Sequence, residues 1–159
     1  MPFIQVGEAD FDAAALLKKI QGGNAGAVVT FTGYVRDYAP GEATKTLFLE
    51  HYPGMCEREL AGIGAEALAR WPVADYVIAH RVGALEHSAQ IVFVAVASAH
   101  RGDAFRACEY IIDALKTRAP FWKRETLADG RQFWVEQRQA DDERTQGWAG
   151  GGQETKEQP

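Results

Sequence analysis

Cysteine is scarce in this 159-residue chain: Cys56 and Cys108 are the only two, far apart and without a CxxC or CxxH partner. That argues against a disulfide framework and a zinc site, and points to a reducing compartment, the cytoplasm. Long hydrophobic runs are missing as well. The longest, Ile91-Val-Phe-Val-Ala-Val-Ala97, is far too short to span a bilayer. The opening MPFIQVGEADF has no basic region and no cleavage site, so no signal peptide is expected. Positive charge is in deficit, with 17 Lys and Arg against 22 Asp and Glu and a net charge of −5. Part of the deficit belongs to residues 136–159, where six acids meet three bases. The body is still mildly acidic, which disfavours a general nucleic-acid binder with its basic face. GxSxG, P-loop and HExxH motifs are absent, and GAVVTFTG has two glycines without dinucleotide spacing.

What remains is a chain with 47% hydrophobic residues, long enough for one domain with a real core. Phe3-Ile4-Gln5-Val6 reads as a strand, and Asp10 as the cap of a helix reaching about Gln21. GAVVTFTGYVRD is β-branched and aromatic, hence a strand, followed by the loop YAPGEAT, expected to be mobile. KTLFLEHY alternates and should pair back. Cys56, Leu60, Ile63, Ala67 and Trp71 recur at helical spacing over residues 54–71, and Pro72 closes that helix. DYVIAHRVG and AQIVFVAVASA are two further strands, the second apolar enough to be central. RGDAFRACEYIIDALKTRA is the second long helix, with Phe105, Cys108, Ile111, Ile112 and Leu115 on its buried stripe. PFWKRETL and RQFWVEQ flank Asp129-Gly130, a strong hairpin signal. The order β-α-β-β-α-β-β-α-β-β implies an α+β domain, mainly antiparallel, with helices on one side of the sheet. Both cysteines fall on apolar helix stripes and read as core.

The chemistry gathers around LKTRAPFWKRE, residues 115–125. Pro120 lacks an N–H and clashes with the carbonyl of Lys116, so the helix should end near Ala119. Lys116 then lies in the last helical turn and Lys123 on the next strand. A lysine at a helix end gains ~0.3–1 kcal/mol from the dipole, and that plain role stands beside a chemical one. A lysine acting as base or nucleophile needs its pKa lowered from about 10.4 by cations and apolar walls. Arg118, Lys123, Arg124, Phe121 and Trp122 supply both kinds of neighbour in sequence. Other cations sit at element ends: Arg36 closes a strand, and His100-Arg101 precede a helix whose free N–H groups suit an anion. His80 reads as a strand histidine with a satisfied hydrogen bond. Together, Arg36, His100, Arg101, Lys116 and Lys123 suggest a phosphate- or carboxylate-bearing ligand.

Five blocks in order, GAVVTFTGYVRD, LEHYPGM, HRVGALE, VASAHRGDAF and IDALKTRAPFWKRE, resemble the catalytic large subunits of the molybdopterin synthase (MoaE) family. The likeness runs from about residue 3 to Val135. It implies an α/β hammerhead-type domain with an added antiparallel subdomain. It implies a sulfurtransferase of molybdenum cofactor biosynthesis, converting cyclic pyranopterin monophosphate to the molybdopterin dithiolene. The sulfur would arrive as a thiocarboxylate on the C-terminal Gly-Gly of a small ubiquitin-like carrier subunit. The assembly implied is a central homodimer with a carrier at each end, a heterotetramer. Matched by position, Lys116 is the lysine beside the carrier's terminal glycine, with acid/base or charge-stabilising work. Lys123 orients the pterin or the intermediate, and Arg36, His100 and Arg101 form the anion pocket, in one subunit or across the dimer. Phe121 and Trp122 are candidates for the pocket wall. No metal or cofactor is expected to be needed.

The domain is expected over residues 1–148, with 149–159 a glycine-rich polar tail outside the resemblance. Gly150-Gly151-Gly152 is not terminal and cannot be a carrier's reactive end. It is expected to fit the carrier channel when no carrier is bound, although an unimportant tail is the simpler reading. The competing function is a non-catalytic module that holds an anionic metabolite or a carrier tail. An RNA-binding domain is a weaker rival, without the aromatic strand signature.

Overall fold

The computed structural model describes residues 2–20, 23–37, 43–135 and 139–149. Most of the glycine-proline loop and the tail beyond Ala149 lie outside the described residues.

The apolar run at 91–97 becomes the centre of a four-stranded sheet. Its order is β1 (Phe3–Gly7), β4 (Val73–Arg81), β6 (Gln90–Ser98), β2 (Ala27–Tyr34). β1 runs parallel to β4, and the other pairs are antiparallel. β4 and β6 are apolar on both faces because both faces are covered. Tyr76, Ile78, Val92, Val94 and Val96 face the main core, which includes Leu60 and Ile63 of α2 (Met55–Arg70) and Ile111 of α3 (Arg101–Arg118). Val77, Ala79, Phe93 and Ala95 face the other way, onto Phe11 and Leu16 beside and within the short α1 (Ala13–Leu17). Helices therefore cover both faces, which corrects the one-sided expectation.

α1 is also shorter than its sequence suggests. Asp12, not Asp10, caps it, accepting from the N–H groups of Ala14 (2.9 Å) and Ala15 (3.2 Å). Asp10 instead accepts from Phe11 N–H and from the side-chain amide of Gln90 at 3.0 Å, so its carboxyl is spent on a tertiary bond. A close approach fixes α2 on the sheet: a Cβ on Gly64 would lie 2.2 Å from Cζ of Tyr76. Only glycine lets that ring lie against the helix backbone.

The second sheet is antiparallel, in the order β5 (Gly83–Glu86), β3 (Thr44–His51), β7 (Phe121–Leu127), β8 (Gln132–Trp134). The chain passes from the first sheet to the second at Gly83, whose φ of +80° suits glycine. One expected strand over 75–83 is thus two strands meeting at a turn. The Asp129-Gly130 hairpin joins β7 to β8 as expected, with Gly130 at φ +88°.

A fourth helix, α4 (Gln139–Ala149), lies on α3 and was not foreseen. Its attachment is largely polar. Asp113, buried on α3, accepts from Arg144 Nε (2.9 Å) and Trp148 Nε1 (2.7 Å), while the Thr145 hydroxyl donates to the Asp113 carbonyl. Trp148 completes an aromatic cluster with Trp71 and Tyr110, ring centroids 5.5 and 5.6 Å away, around the Arg70 guanidinium.

Candidate active site

Pro120 has the effect its chemistry requires. α3 ends at Arg118, and Ala119 turns extended with ψ of 131°. β7 then starts at Phe121, so Lys116 in the last turn and Lys123 on the strand are carried by different elements. Both line one cavity of about 460 Å3, formed where the two sheets meet the C-terminal half of α3. Arg36, just past β2, lines the same cavity, as do Phe121 and Trp122. The remaining wall is largely apolar, from Leu47, Leu49, Ile91, Val92, Ile112 and Leu115, with Trp134 and Asp141 at the β8 and α4 side. Three cationic side chains against apolar walls form a site for a small anion that also carries a flat or apolar part.

His100 and Arg101 are elsewhere. They sit exposed at the N-terminal end of α3, whereas Lys116 is 15 residues further along the same helix. At 1.5 Å per residue the separation is about 22 Å, so no single cavity of this chain takes in both ends. The cations expected to crowd Lys116 are also partly diverted. Arg118 turns to α2, pairing with Glu59 (2.9 Å) and Glu66 (2.5 Å). That pairing raises the guanidinium pKa and lowers the Glu66 pKa. Arg124 lies over the Phe48 ring at 5.0 Å. Of the three, Lys123 alone lines the cavity.

His80 is the residue the sequence undersold. It lines the cavity from β4, 9% exposed, with its ring stacked on Phe121 at 4.1 Å between centroids. Its Nδ1 lies 2.7 Å from the Arg81 carbonyl, an acceptor only, so Nδ1 bears the hydrogen. Burial, and then the positive charges of Lys123 and Lys116, push its pKa down to about 3, and the imidazole is neutral. The two thiols are no nucleophiles. Burial raises both, Cys108 to about 12, and each is buried in the core as expected. Among the described residues, no group of three His, Cys, Asp or Glu side chains is placed to hold a metal ion. No described helix is long and apolar enough to cross a membrane.

A cationic, apolar-walled cavity lies at the junction of a mixed sheet and an antiparallel one, in an α+β domain of enzyme type. The family model described as "MoaE protein" matches residues 6–118. The molybdopterin synthase catalytic subunit of Ralstonia nicotianae is 49% identical over 150 residues, covering 93% of this chain and 85% of the relative. That of Pseudomonas aeruginosa is 50% identical over 147 residues, covering 91% and 97%. Among solved structures, the molybdopterin biosynthesis MoaE protein from Burkholderia ambifaria superposes with a TM-score of 0.78 at 45% identity, covering 94% of this chain and 99% of that one. The chain belongs to the MoaE family, the catalytic subunits of molybdopterin synthase, which transfer sulfur in molybdenum cofactor biosynthesis.

Proposed function

We propose that the 460 Å3 cavity is where a small carrier subunit, entering by its C-terminal Gly-Gly thiocarboxylate, delivers sulfur to cyclic pyranopterin monophosphate. The observation that carries this reading is the meeting of Arg36, Lys116 and Lys123 in one cavity of a MoaE-family chain. The thiocarboxylate sulfur attacks a carbon of the substrate side chain, forming a C–S bond and an acyl thioester while that carbon's C–O bond breaks, the oxygen taking the electron pair and a proton. Water then cleaves the acyl C–S bond, releasing the carrier as a carboxylate and leaving sulfur on the pterin; a second carrier repeats the step for the dithiolene. Negative charge develops on oxygen in both steps, and preorganised cations stabilise it. Lys116 supplies that charge and a proton at the acyl centre, Lys123 orients the pterin, and Arg36 holds the phosphate.

His100 and Arg101, about 22 Å from Lys116 along α3, complete the anion pocket of the partner subunit in a homodimer, each subunit with its own carrier. Cytoplasmic placement belongs to the same proposal and agrees with two buried, unpaired cysteines.

The test is product formation from thiocarboxylated carrier and cyclic pyranopterin monophosphate under anaerobic conditions. Wild type should yield dithiolene, and Lys116→Ala should lose nearly all of it while binding carrier normally. A folded, carrier-bound wild type without product would leave a binding module instead. Full activity in the variant would return Lys116 to a helix-end lysine.

A further inference from the structure

Beside the cations Arg36, Lys116 and Lys123 and the Asp141 carboxylate on its α4 side, the cavity wall carries a neutral ring acceptor, the unprotonated Nε2 of His80. The Arg81 carbonyl 2.7 Å from Nδ1 fixes the tautomer, so the free lone pair is on Nε2. No hydrogen bond to Nε2 is made by any described residue, although the side chain is 91% buried by its 9% exposure. The Nδ1 bond to Arg81 sets which edge of the ring faces the cavity, and Phe121, stacked at 4.1 Å with the planes 23° apart, sets the ring plane. An acceptor held in one orientation on a ligand cavity gains when a donor arrives and excludes water from it.

We propose that His80 is a substrate-binding residue, whose Nε2 accepts a hydrogen bond from a ring N–H of the pterin. This rests on the sulfur-transfer reading above and adds a specificity element to it. The substrate is anionic at its phosphate and a hydrogen-bond donor at its pterin ring, so it needs both cations and a neutral acceptor. The location favours the pterin over the carrier's backbone amides. Phe121, the ring stacked on His80, is two residues before Lys123 on β7 and therefore on the same strand face, the side assigned to the pterin. Phe121 and Trp122 add flat surface for a bicyclic ring on the same cavity wall. The fixed lone pair selects for an N–H donor and against an oxo group at that ring position, since an oxo group would leave two acceptors facing each other.

Calorimetry on the purified chain with cyclic pyranopterin monophosphate, and separately with unthiolated carrier, tests this. His80→Leu should weaken pterin affinity about tenfold, the loss of one buried hydrogen bond, and leave carrier affinity unchanged. His80→Gln, which restores an acceptor, should recover most of it. Independently of substitution, the Nε2 15N resonance of wild type should move upfield on saturation with the pterin as the lone pair is engaged. Unchanged pterin affinity in H80L, or an unmoved Nε2 resonance with pterin bound, overturns the assignment. An H80Q variant as weak as H80L assigns the loss to ring stacking and overturns it too. Weakened carrier affinity with normal pterin binding would give His80 to the carrier's amides instead. A wild type that binds no pterin sinks the sulfur-transfer reading itself, a result distinct from any of these.

Discussion

Asp113→Ala should release α4 without unfolding the domain. An isolated helix of 11 residues, the length of α4, is marginal in water, so its contacts with α3 decide whether it stays. Two bonds meet on the Asp113 carboxylate. The one from Trp148 Nε1, at 2.7 Å and partly buried, involves an ionised acceptor and contributes about 1.5–3 kcal/mol. The one from Arg144 joins a side chain that is half exposed, and solvent limits it to about 0–1 kcal/mol. A loss of about 2–3 kcal/mol multiplies the open population of α4 by about 30 to 150. Hydrogen exchange followed by mass spectrometry, on the peptide spanning 139–149, should show protection falling by that factor while β6 amides hold. Asp113→Asn keeps an acceptor for Trp148 and loses the charge facing Arg144, so it should show only the smaller effect. Protection of α4 in D113A equal to wild type would refute the reasoning. D113N behaving as D113A would move the stabilisation from the tryptophan to the ion pair.

Further expectations bear on other parts of the molecule. His80 resists protonation when folded, with a pKa near 3 against 6.5 unfolded, so the unfolded state binds the extra proton and stability falls as pH drops below 6.5. The fall approaches about 1.4 kcal/mol per pH unit, and urea titrations at pH 7 and 5 should show it in wild type and largely lose it in His80→Gln. Gly64→Ala puts a methyl 2.2 Å from Tyr76 Cζ, and the forced shift should cost about 1–3 kcal/mol in urea denaturation; a variant as stable as wild type would mean the Tyr76 ring moves freely. If His100 and Arg101 serve the partner's pocket, mixing inactive Lys116→Ala and Arg101→Ala dimers and letting subunits exchange should restore about a quarter of wild-type activity, from one intact site in half the dimers. No recovery after verified exchange would place both ends of α3 in the same site.

Where local chemistry decides structure, the sequence could be read directly. Pro120 stopping α3, Asp-Gly turning β7 into β8 and the alternating β3 each depend on a residue's own backbone preferences. The errors come from tertiary competition. Asp10 was a sound cap by type, but Gln90, 80 residues away, takes its carboxylate and leaves capping to Asp12. Phe105 was placed on the buried stripe for its hydrophobicity, yet it is 61% exposed because the stripe is made by Ala104, Ala107, Cys108 and Ile111. α4 left little periodic signal, since QADDERTQGWA has one large apolar residue and docks by polar bonds. Its acidic first turn, Asp141 and Asp142, was the available clue.

The cation cluster was legible as residue types, and three of its members share a cavity. That His100 and Arg101 lie at the opposite end of α3 follows from helix length, which the sequence also contained. His80 was the harder case. One satisfied hydrogen bond is expected of a strand histidine, but which nitrogen makes it, and that the other faces the cavity, is visible only once β4 and β7 are placed.

The packing of Trp148 against Trp71 gives the protein an internal optical gauge. The two indoles stand at 87° with centroids 5.5 Å apart, and the other two tryptophans, Trp122 and Trp134, are exposed and are expected to emit as solvated rings. Transition dipoles that close couple, so the docked helix should carry an exciton contribution in circular dichroism that vanishes when α4 lifts, together with a red shift in emission from Trp148. Because Asp141 of the same helix borders the cavity, tryptophan emission with no added label reports whether this helix stays docked while ligands are titrated in.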